Sequence, residues 1–278
     1  MMGHHNILEV SVMEEKAYQR ILNWLYDRYG MVYPENKKNL LIQHMQRVCK
    51  CFNLPSLAIM ADRMELNDCH DLQLAIVHAA TTNHTYFFRE PLVLEYFKNT
   101  ILPTLPEEGV RIWSAATSSG DEAFTLAIIA AEARGFFWAK KNLEILGTDI
   151  SQAVITSAKT GVYSGGHVDK MPKELLERYF VPFGKGQFRV QDDLRDICKF
   201  NSFNLKSEHY FFPKAFHVVF CRNVLYYFDR AHQRHVVDAI YKVTKPGGYL
   251  VTCVTMSLRD LDSRWIHVES GIYQKAIS

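Results

Sequence analysis

The stretch Arg111 to Thr125, Arg-Ile-Trp-Ser-Ala-Ala-Thr-Ser-Ser-Gly-Asp-Glu-Ala-Phe-Thr, constrains the fold of this chain more than any other. A short apolar run, Val110 to Trp113, enters a run of small residues, Ser114 to Gly120, and an amphipathic segment then starts at Asp121. Strand, tight turn and helix in that order open a doubly wound α/β sheet. Small side chains let backbone approach a ligand, and Asp121 and Glu122 suit the positive start of a helix. Alone, the pattern fits an ordinary βα turn as well as a cofactor site.

The next element narrows the choice. Leu143 to Ile150 reads as a strand ending in Asp149, after which Ser151 caps a helix over Gln152 to Thr160 that Gly161 closes. A carboxylate at that strand end accepts hydrogen bonds from both hydroxyls of a ribose. The turn itself holds one glycine, Gly120, rather than Gly-x-Gly-x-x-Gly. A pyrophosphate needs several converging amides, whereas S-adenosylmethionine offers ribose, adenine, a carboxylate and an ammonium without phosphate. Ala115, Ala116, Ser118 and Ser119 are small enough for close approach, Asp149 suits the ribose, and Glu122 suits the ammonium. Pro246-Gly247-Gly248 ahead of a late strand, Tyr249 to Val254, also fits a methyltransferase sheet.

Around this core the chain divides. Residues 7 to about 78 read as helices, with Ala17, Ile21, Leu22, Leu25 and Tyr29 inward on the first and Gly30 closing it. A second helix, Pro34 to Phe52, turns Leu40, Leu41, Met45, Val48 and Cys49 inward. Lys37, Lys38, His44, Arg47 and Lys50 lie on its other side, a solvated face or a docking face for an acidic partner. Thr81 to Pro91 packs three aromatics beside Arg89, whose burial calls for an anionic partner. Pro91 to Thr100 reads as a helix and Gly135 to Trp138 as an aromatic loop. Gln187 to Val190 and Ile197 to Asn201 look like short strands of a β insertion. Phe216 to Cys221 is a buried strand, Arg230 to Val243 a helix, and Trp265 to Ile277 a closing hairpin.

Composition excludes several classes. Lys and Arg number 32 against 30 Asp and Glu, a net +2 that gives no polyanion signal, so no nucleic acid is expected. Six cysteines include no Cys-x-x-Cys pair and read as reduced packing residues, and His232-x-x-His235 has no evident third ligand, so no metal is expected. No apolar run reaches about 18 residues and no signal peptide is evident, so a cytoplasmic protein without membrane insertion is expected.

Four ordered segments carry a more specific likeness. They are Asn83-His84-Thr85-Tyr86-Phe87-Phe88-Arg89-Glu90, Ile112-Trp113-Ser114-Ala115-Ala116, Gly147-Thr148-Asp149-Ile150, and Phe220-Cys221-Arg222-Asn223-Val224-Leu225-Tyr226-Tyr227-Phe228-Asp229. Over roughly residues 10 to 255 the chain resembles the CheR family, which methylates glutamate side chains of chemoreceptors from S-adenosylmethionine. The resemblance implies a Rossmann-like class I S-adenosylmethionine methyltransferase domain with a small inserted β-subdomain, preceded by an all-α N-terminal domain. Helical residues 1–80, a site-contributing linker 81–91 and a methyltransferase domain 92–278, with the insertion at about 182–201, are the expected divisions. It further implies that Asn83, Thr85 and Arg89 contact the cofactor, with Arg89 also near the substrate carboxylate. Ala115 and Glu122 correspond to the methionine end, Asp149 to the ribose acid and Asn204-Leu205 to the adenine wall. Arg222 and Asn223 line the same pocket, and Tyr227 matches the active-site tyrosine. Arg89 and Tyr227 are therefore the expected catalytic pair, S-adenosylhomocysteine the expected product, and the receptor's cytoplasmic helical bundle the expected partner through Lys37, Lys38, Arg47 and Lys50.

Departures leave room for other outcomes. The family's Ser-Thr-Gly-Glu-Glu-Pro-Tyr-Ser is here Ser118-Ser119-Gly120-Asp121-Glu122-Ala123-Phe124-Thr125, which keeps size and charge. Val254-Thr255-Met256-Ser257-Leu258 replaces the family's Gly-His-Ser-Glu stretch. The compact turn Pro182 to Gln187 implies a member that works without a tether to a receptor's C-terminal pentapeptide. A same-fold methyltransferase with another acceptor, and a receptor-binding module that has lost catalysis, are the alternative readings.

Overall fold

The computed structural model describes residues 2–66, 68–81 and 84–277. Two compact units make up the chain, one of Met1–Thr82 with Tyr227–Asp229, the other of Asn83–Tyr226 with Arg230–Ser278.

The first unit holds α1 (Met2–Tyr29), α2 (Lys38–Cys51), α3 (Leu57–Met64) and α4 (His70–Ala80). Side chains three and four apart line one face of each helix, so Ile21 and Leu25, Leu41, Met45 and Val48, Met60 and Met64, and Leu72 and Ile76 form its core. Gly30, at φ +69°, ends α1 in the left-handed conformation that only glycine adopts without cost. Leu40 does not point inward as expected; it is 47% exposed, because Leu41 and Met45 already fill that face. Tyr227, Phe228 and Asp229 pack with these helices: Val32 N–H donates to the Tyr227 carbonyl at 2.7 Å, and Tyr26 hydroxyl to Asp229 at 2.8 Å.

The basic side of α2 breaks up on inspection. Lys38 and Arg47, nine positions apart, lie on opposite sides of a helix that turns about 100° per residue. Lys38 bonds Glu15 at 2.8 Å and reaches Glu35 at 3.5 Å, while the His44 ring meets the Ala79 carbonyl at 2.8 Å. Arg47 and Lys50 are exposed.

The second unit is built on a seven-stranded sheet. Its strands are β1 (Val110–Ala115), β2 (Leu143–Asp149), β6 (Cys198–Ser202), β7 (Phe216–Phe220), β8 (Thr244–Val251), β9 (Ile266–Glu269) and β10 (Ile272–Gln274). They lie in the order β6-β2-β1-β7-β8-β10-β9. The first five run parallel, and β10 is antiparallel to both β8 and β9. β7 is buried along its whole length, as a central parallel strand covered on both faces must be. From β1 the chain winds one way to β2 and β6, then returns to lay β7 on the other side of β1. The carboxyl ends of β1 and β7 thus flank a topological switch point, where doubly wound sheets bind ligands.

The second unit begins with α5 (Pro91–Tyr96), and its next helix, α6 (Asp121–Arg134), is not the amphipathic segment expected. Every residue from Ala123 to Ala131 is buried, so the helix is apolar all round. Gly135 to Trp138, expected as a loop, instead opens a short helix, Phe136–Asn142, directly after Gly135, whose φ of +91° ends α6. Ser151 occupies the N-cap of the helix Gln152–Thr160, yet its side chain makes no capping bond. A separate three-stranded antiparallel sheet, β3 (Val162–Ser164), β5 (Gln187–Val190) and β4 (Phe180–Pro182), forms the insertion. It begins earlier than expected, and residues 197–201 do not belong to it. Residues 198–201 lie in the edge strand β6, paired in parallel with β2. Four of the six cysteines are buried and all six are free.

Candidate functional site

The turn after β1 is strained where its sequence lacks glycine. Ala116 (φ +64°) and Ser118 (φ +53°) sit in the left-handed region, which disfavours side chains, ahead of Gly120 at φ +91°. The turn is held by its neighbours: Thr117 N–H donates to the Thr148 carbonyl at 2.8 Å and Ser118 N–H to Asp149 Oδ2 at 2.9 Å. Gly120 N–H bonds back to the Thr117 carbonyl at 3.1 Å. Three amides of the turn are therefore spent within the protein rather than on a ligand. At Gly147, on the strand behind, an added Cβ would lie 2.6 Å from the Phe200 ring and 3.1 Å from Thr117, so glycine there lets the turn pack down.

Asp149, at the end of β2, is buried and fixes two loops at once. One oxygen accepts from Ser118 N–H and the other from Ser151 N–H at 3.0 Å. A carboxylate at this strand end is the type of group that accepts ribose hydroxyls in a doubly wound sheet.

Glu122 accepts from the Ser114 hydroxyl at 2.7 Å and from Arg222 Nη1 at 3.0 Å. Arg222 follows β7 and is buried; its other terminal nitrogen donates to the Arg89 carbonyl at 2.6 Å and reaches Glu90 at 3.4 Å. Asn223, at φ +55°, donates to the second oxygen of Glu90 at 2.9 Å. Arg222 thus links the β1 turn to the aromatic segment, a function of position that its place in the sequence does not reveal. Arg89 itself donates to the His84 carbonyl at 2.7 Å and lies 3.9 Å from Glu90.

The remaining expected residues are placed as follows. Ala115 is buried at the end of β1, Thr85 is half-buried in a stretch outside helix and strand, and Leu205 is buried after β6. Asn204 accepts from Lys206 N–H at 2.9 Å, a local turn made by its own side chain. Tyr227 ends the turn Leu225–Tyr227 and groups with the helical unit, where Lys37 Nζ stands 5.8 Å from its ring. Asn83 lies outside the described residues. Sequence reading did not single out Glu90 as a site residue, although its place beside Arg89 was a signal. Nor did it find His167, 46 residues from its partner Asp121.

The arrangement fits S-adenosylmethionine. Thr117 Oγ1, Ser118 Oγ and Arg222 Nε are buried without a protein partner, beside two carboxylates suited to hydroxyl and ammonium groups. Among the described residues no cluster of His, Cys, Asp and Glu suits a metal, and no helix is long and apolar enough to cross a membrane. His235 of the His-x-x-His pair instead meets the Ser207 carbonyl at 2.8 Å.

Comparison with known proteins agrees with this geometry. Residues 83–273 match the "CheR methyltransferase, SAM binding domain". The chain is 32% identical over 255 residues to chemotaxis protein methyltransferase Cher2 of Pseudomonas putida, covering 88% of this chain and 92% of the relative. It is 32% identical to chemotaxis protein methyltransferase 1 of Pseudomonas aeruginosa, over 89% and 93% of the two chains. With the chemotaxis protein methyltransferase of Borreliella burgdorferi it shares 29% identity over 88% of each chain. A site built from the carboxyl ends of β1, β2 and β7, lying within a match that spans most of the sequence, leads to one assignment: the chain belongs to the CheR family of S-adenosylmethionine-dependent chemotaxis methyltransferases.

Proposed function

We propose that the enzyme methylates glutamate side chains in the cytoplasmic helical bundle of chemoreceptors, leaving glutamate methyl esters and S-adenosylhomocysteine, and that it acts in the cytoplasm. The observation that carries this reading is the convergence of Ser114, Glu122, Asp149 and Arg222 behind a turn with unpartnered buried hydroxyls, inside the segment that matches the family.

The chemistry explains why these residue types suffice. A carboxylate is already ionised at neutral pH, so its esterification needs no strong base. S-adenosylmethionine supplies the electrophilic methyl carbon. What the protein adds is alignment and a dry site. In this reading Asp149 takes the ribose hydroxyls from its place at the end of β2. Glu122 takes the ammonium, held in place by Ser114 and Arg222. Asn204 and Leu205 flank the adenine, and Asn83, Thr85, Ala115 and Asn223 complete the wall around the methionine end. Arg89 holds the substrate carboxylate by a charge-assisted hydrogen bond and Tyr227 orients it, both roles resting on the family motif. Residues 81–91 serve as the linker that brings Arg89 to the site. Arg47 and Lys50 on α2 give the docking face for an acidic receptor. The short turn in which Phe183 N–H bonds the Gln187 carbonyl at 2.8 Å supports a member that works without a C-terminal pentapeptide tether.

Methyl-labelled S-adenosylmethionine, incubated with the enzyme and cytoplasmic receptor fragments, tests the reading. The expected product carries label on glutamate and releases it as methanol in mild base. Alkali-stable label would mean another acceptor. Tight cofactor binding with no transfer to any receptor would mean a binding module.

A further inference from the structure

Asp121 and Glu122 are neighbours at the start of α6, yet their carboxylates do different things. Asp121 is fully buried. Its Oδ1 lies 2.6 Å from His167 Nδ1, and its Oδ2 accepts from the Ser119 hydroxyl at 2.7 Å. His167 belongs to the short helix Gly165–Val168 that follows β3 in the inserted region. The same residue grips the aromatic segment, since its carbonyl accepts from Phe87 N–H at 3.1 Å.

A second clasp lies alongside. Phe88 N–H donates to Thr125 Oγ1 at 3.2 Å, and that hydroxyl donates to the Asp121 carbonyl at 2.7 Å. Phe87 is fully buried, edge-on to Tyr163 at 4.9 Å and Phe180 at 5.2 Å. Phe88 and Glu90, on either side of Arg89, have φ of +58° and +56°. Side chains in that region stay there only where surrounding contacts over-determine the backbone. His167 and Thr125 supply such contacts.

We propose that His167 is a positioning residue, whose imidazole ties the inserted region to the cofactor turn through Asp121 while its carbonyl holds the segment carrying Arg89, so that cofactor binding depends on the imidazole. The bridge is strongest when the imidazole is protonated, as a charge-assisted bond to a buried carboxylate. Hydrogen bonding to Asp121 favours that form and raises the imidazole above its ordinary 6.5. Other groups also face the pair. Tyr163, from β3, has its ring 5.5 Å from His167 and its hydroxyl on the Ser119 carbonyl; burial holds it well above its usual value. Cys198 from β6 and Arg195 face Tyr163, and burial pushes the Cys198 thiol up. Asp169, two residues beyond His167, is the nearest acid on the same segment. Charge on His167 stabilises the bridge at low pH, and the bridge weakens as pH rises through the raised value.

The proposal rests on the reading that the 114–122 turn holds the cofactor. Calorimetric titration with S-adenosylhomocysteine from about pH 6 to about pH 9, the range in which a raised histidine titrates, tests both. Wild-type affinity is expected to fall with rising pH. His167→Ala is expected to bind roughly tenfold more weakly at the low end and to lose the slope. His167→Gln keeps a donor without the charge, so it recovers part of the affinity with a flat profile, and its unfolding midpoint near wild type excludes misfolding. Equal affinity in His167→Ala, or an unchanged slope in His167→Gln, overturns the proposal. Asp149→Ala is expected to lose affinity at every pH; unchanged binding there would displace the cofactor reading itself.

Discussion

Arg222 and Glu122, 100 residues apart in sequence, share a 3.0 Å charge-assisted hydrogen bond with side chains 3% and 14% exposed. Removing one member of a buried pair strands the other, at a typical cost of about 3–5 kcal/mol. Arg222→Met is therefore expected to lower the unfolding free energy by about 3 kcal/mol and to weaken cofactor binding. Arg222→Lys keeps the charge but not the fork that meets both Glu122 and the Arg89 carbonyl, so it should fall between. Denaturant titration of the three proteins gives the order, and a wild-type midpoint for the methionine variant would refute it.

Ser118 combines an unfavourable φ of +53° with a buried hydroxyl that has no protein partner. Both features cost stability, and both vanish in Ser118→Gly. That variant is expected to gain about 1 kcal/mol of stability while binding S-adenosylmethionine more weakly, the trade-off seen where a site is strained for function. Thermal unfolding with and without cofactor separates the two effects. A loss of apo stability would mean that the strain lies elsewhere.

Arg89→Ala is expected to reduce receptor methylation by at least about a thousandfold, as loss of a substrate-aligning charge does, with modest change in cofactor affinity. Tyr227→Phe removes one hydroxyl and should cost less. The comparison is single-turnover transfer at saturating cofactor. Normal transfer by the alanine variant would remove Arg89 from the chemistry.

On α2 the ion pairs separate two kinds of lysine and arginine. Lys38 is committed to Glu15 and Glu35, so Lys38→Glu should lower the unfolding midpoint of the helical unit slightly, less so at high salt. Reversal of exposed Arg47 and Lys50 to Glu should instead raise the receptor KM, most at low salt. An unchanged KM at low ionic strength would return that face to plain solvation.

Much of this was legible in the sequence, for reasons that also mark its limits. Asp149 announces itself because a βαβ unit puts a strand-end acid in one place, and the glycine-poor turn excludes phosphate by counting amides. Periodicity could not place residues 197–201, since an edge strand of a parallel sheet and a strand of a small hairpin share length and composition. It misread Gly135 to Trp138 because one helix can follow another across a single glycine at φ +91°. Asp121 and Glu122 looked alike as acids at a helix start, and only the fold turns one toward His167 and the other toward Arg222. Contacts that join distant polar segments carry no local signature.

The strand order has a consequence for how the enzyme comes to exist. β1 pairs with β7 more than one hundred residues later, at Ile112 with Val218 and Ser114 with Phe220. Domains emerge from the ribosome amino-terminus first, and pairing across so long a stretch is slow. Until Arg222 has been synthesised and β7 has docked, the Glu122 carboxylate has no cation and must stay hydrated, so β1, β2 and α6 can collapse early but cannot dry the pocket between them. A nascent chain halted before residue 222 should therefore be compact and unable to bind cofactor. Binding competence arrives once β7 has docked beside β1 and the arginine that follows it has reached Glu122.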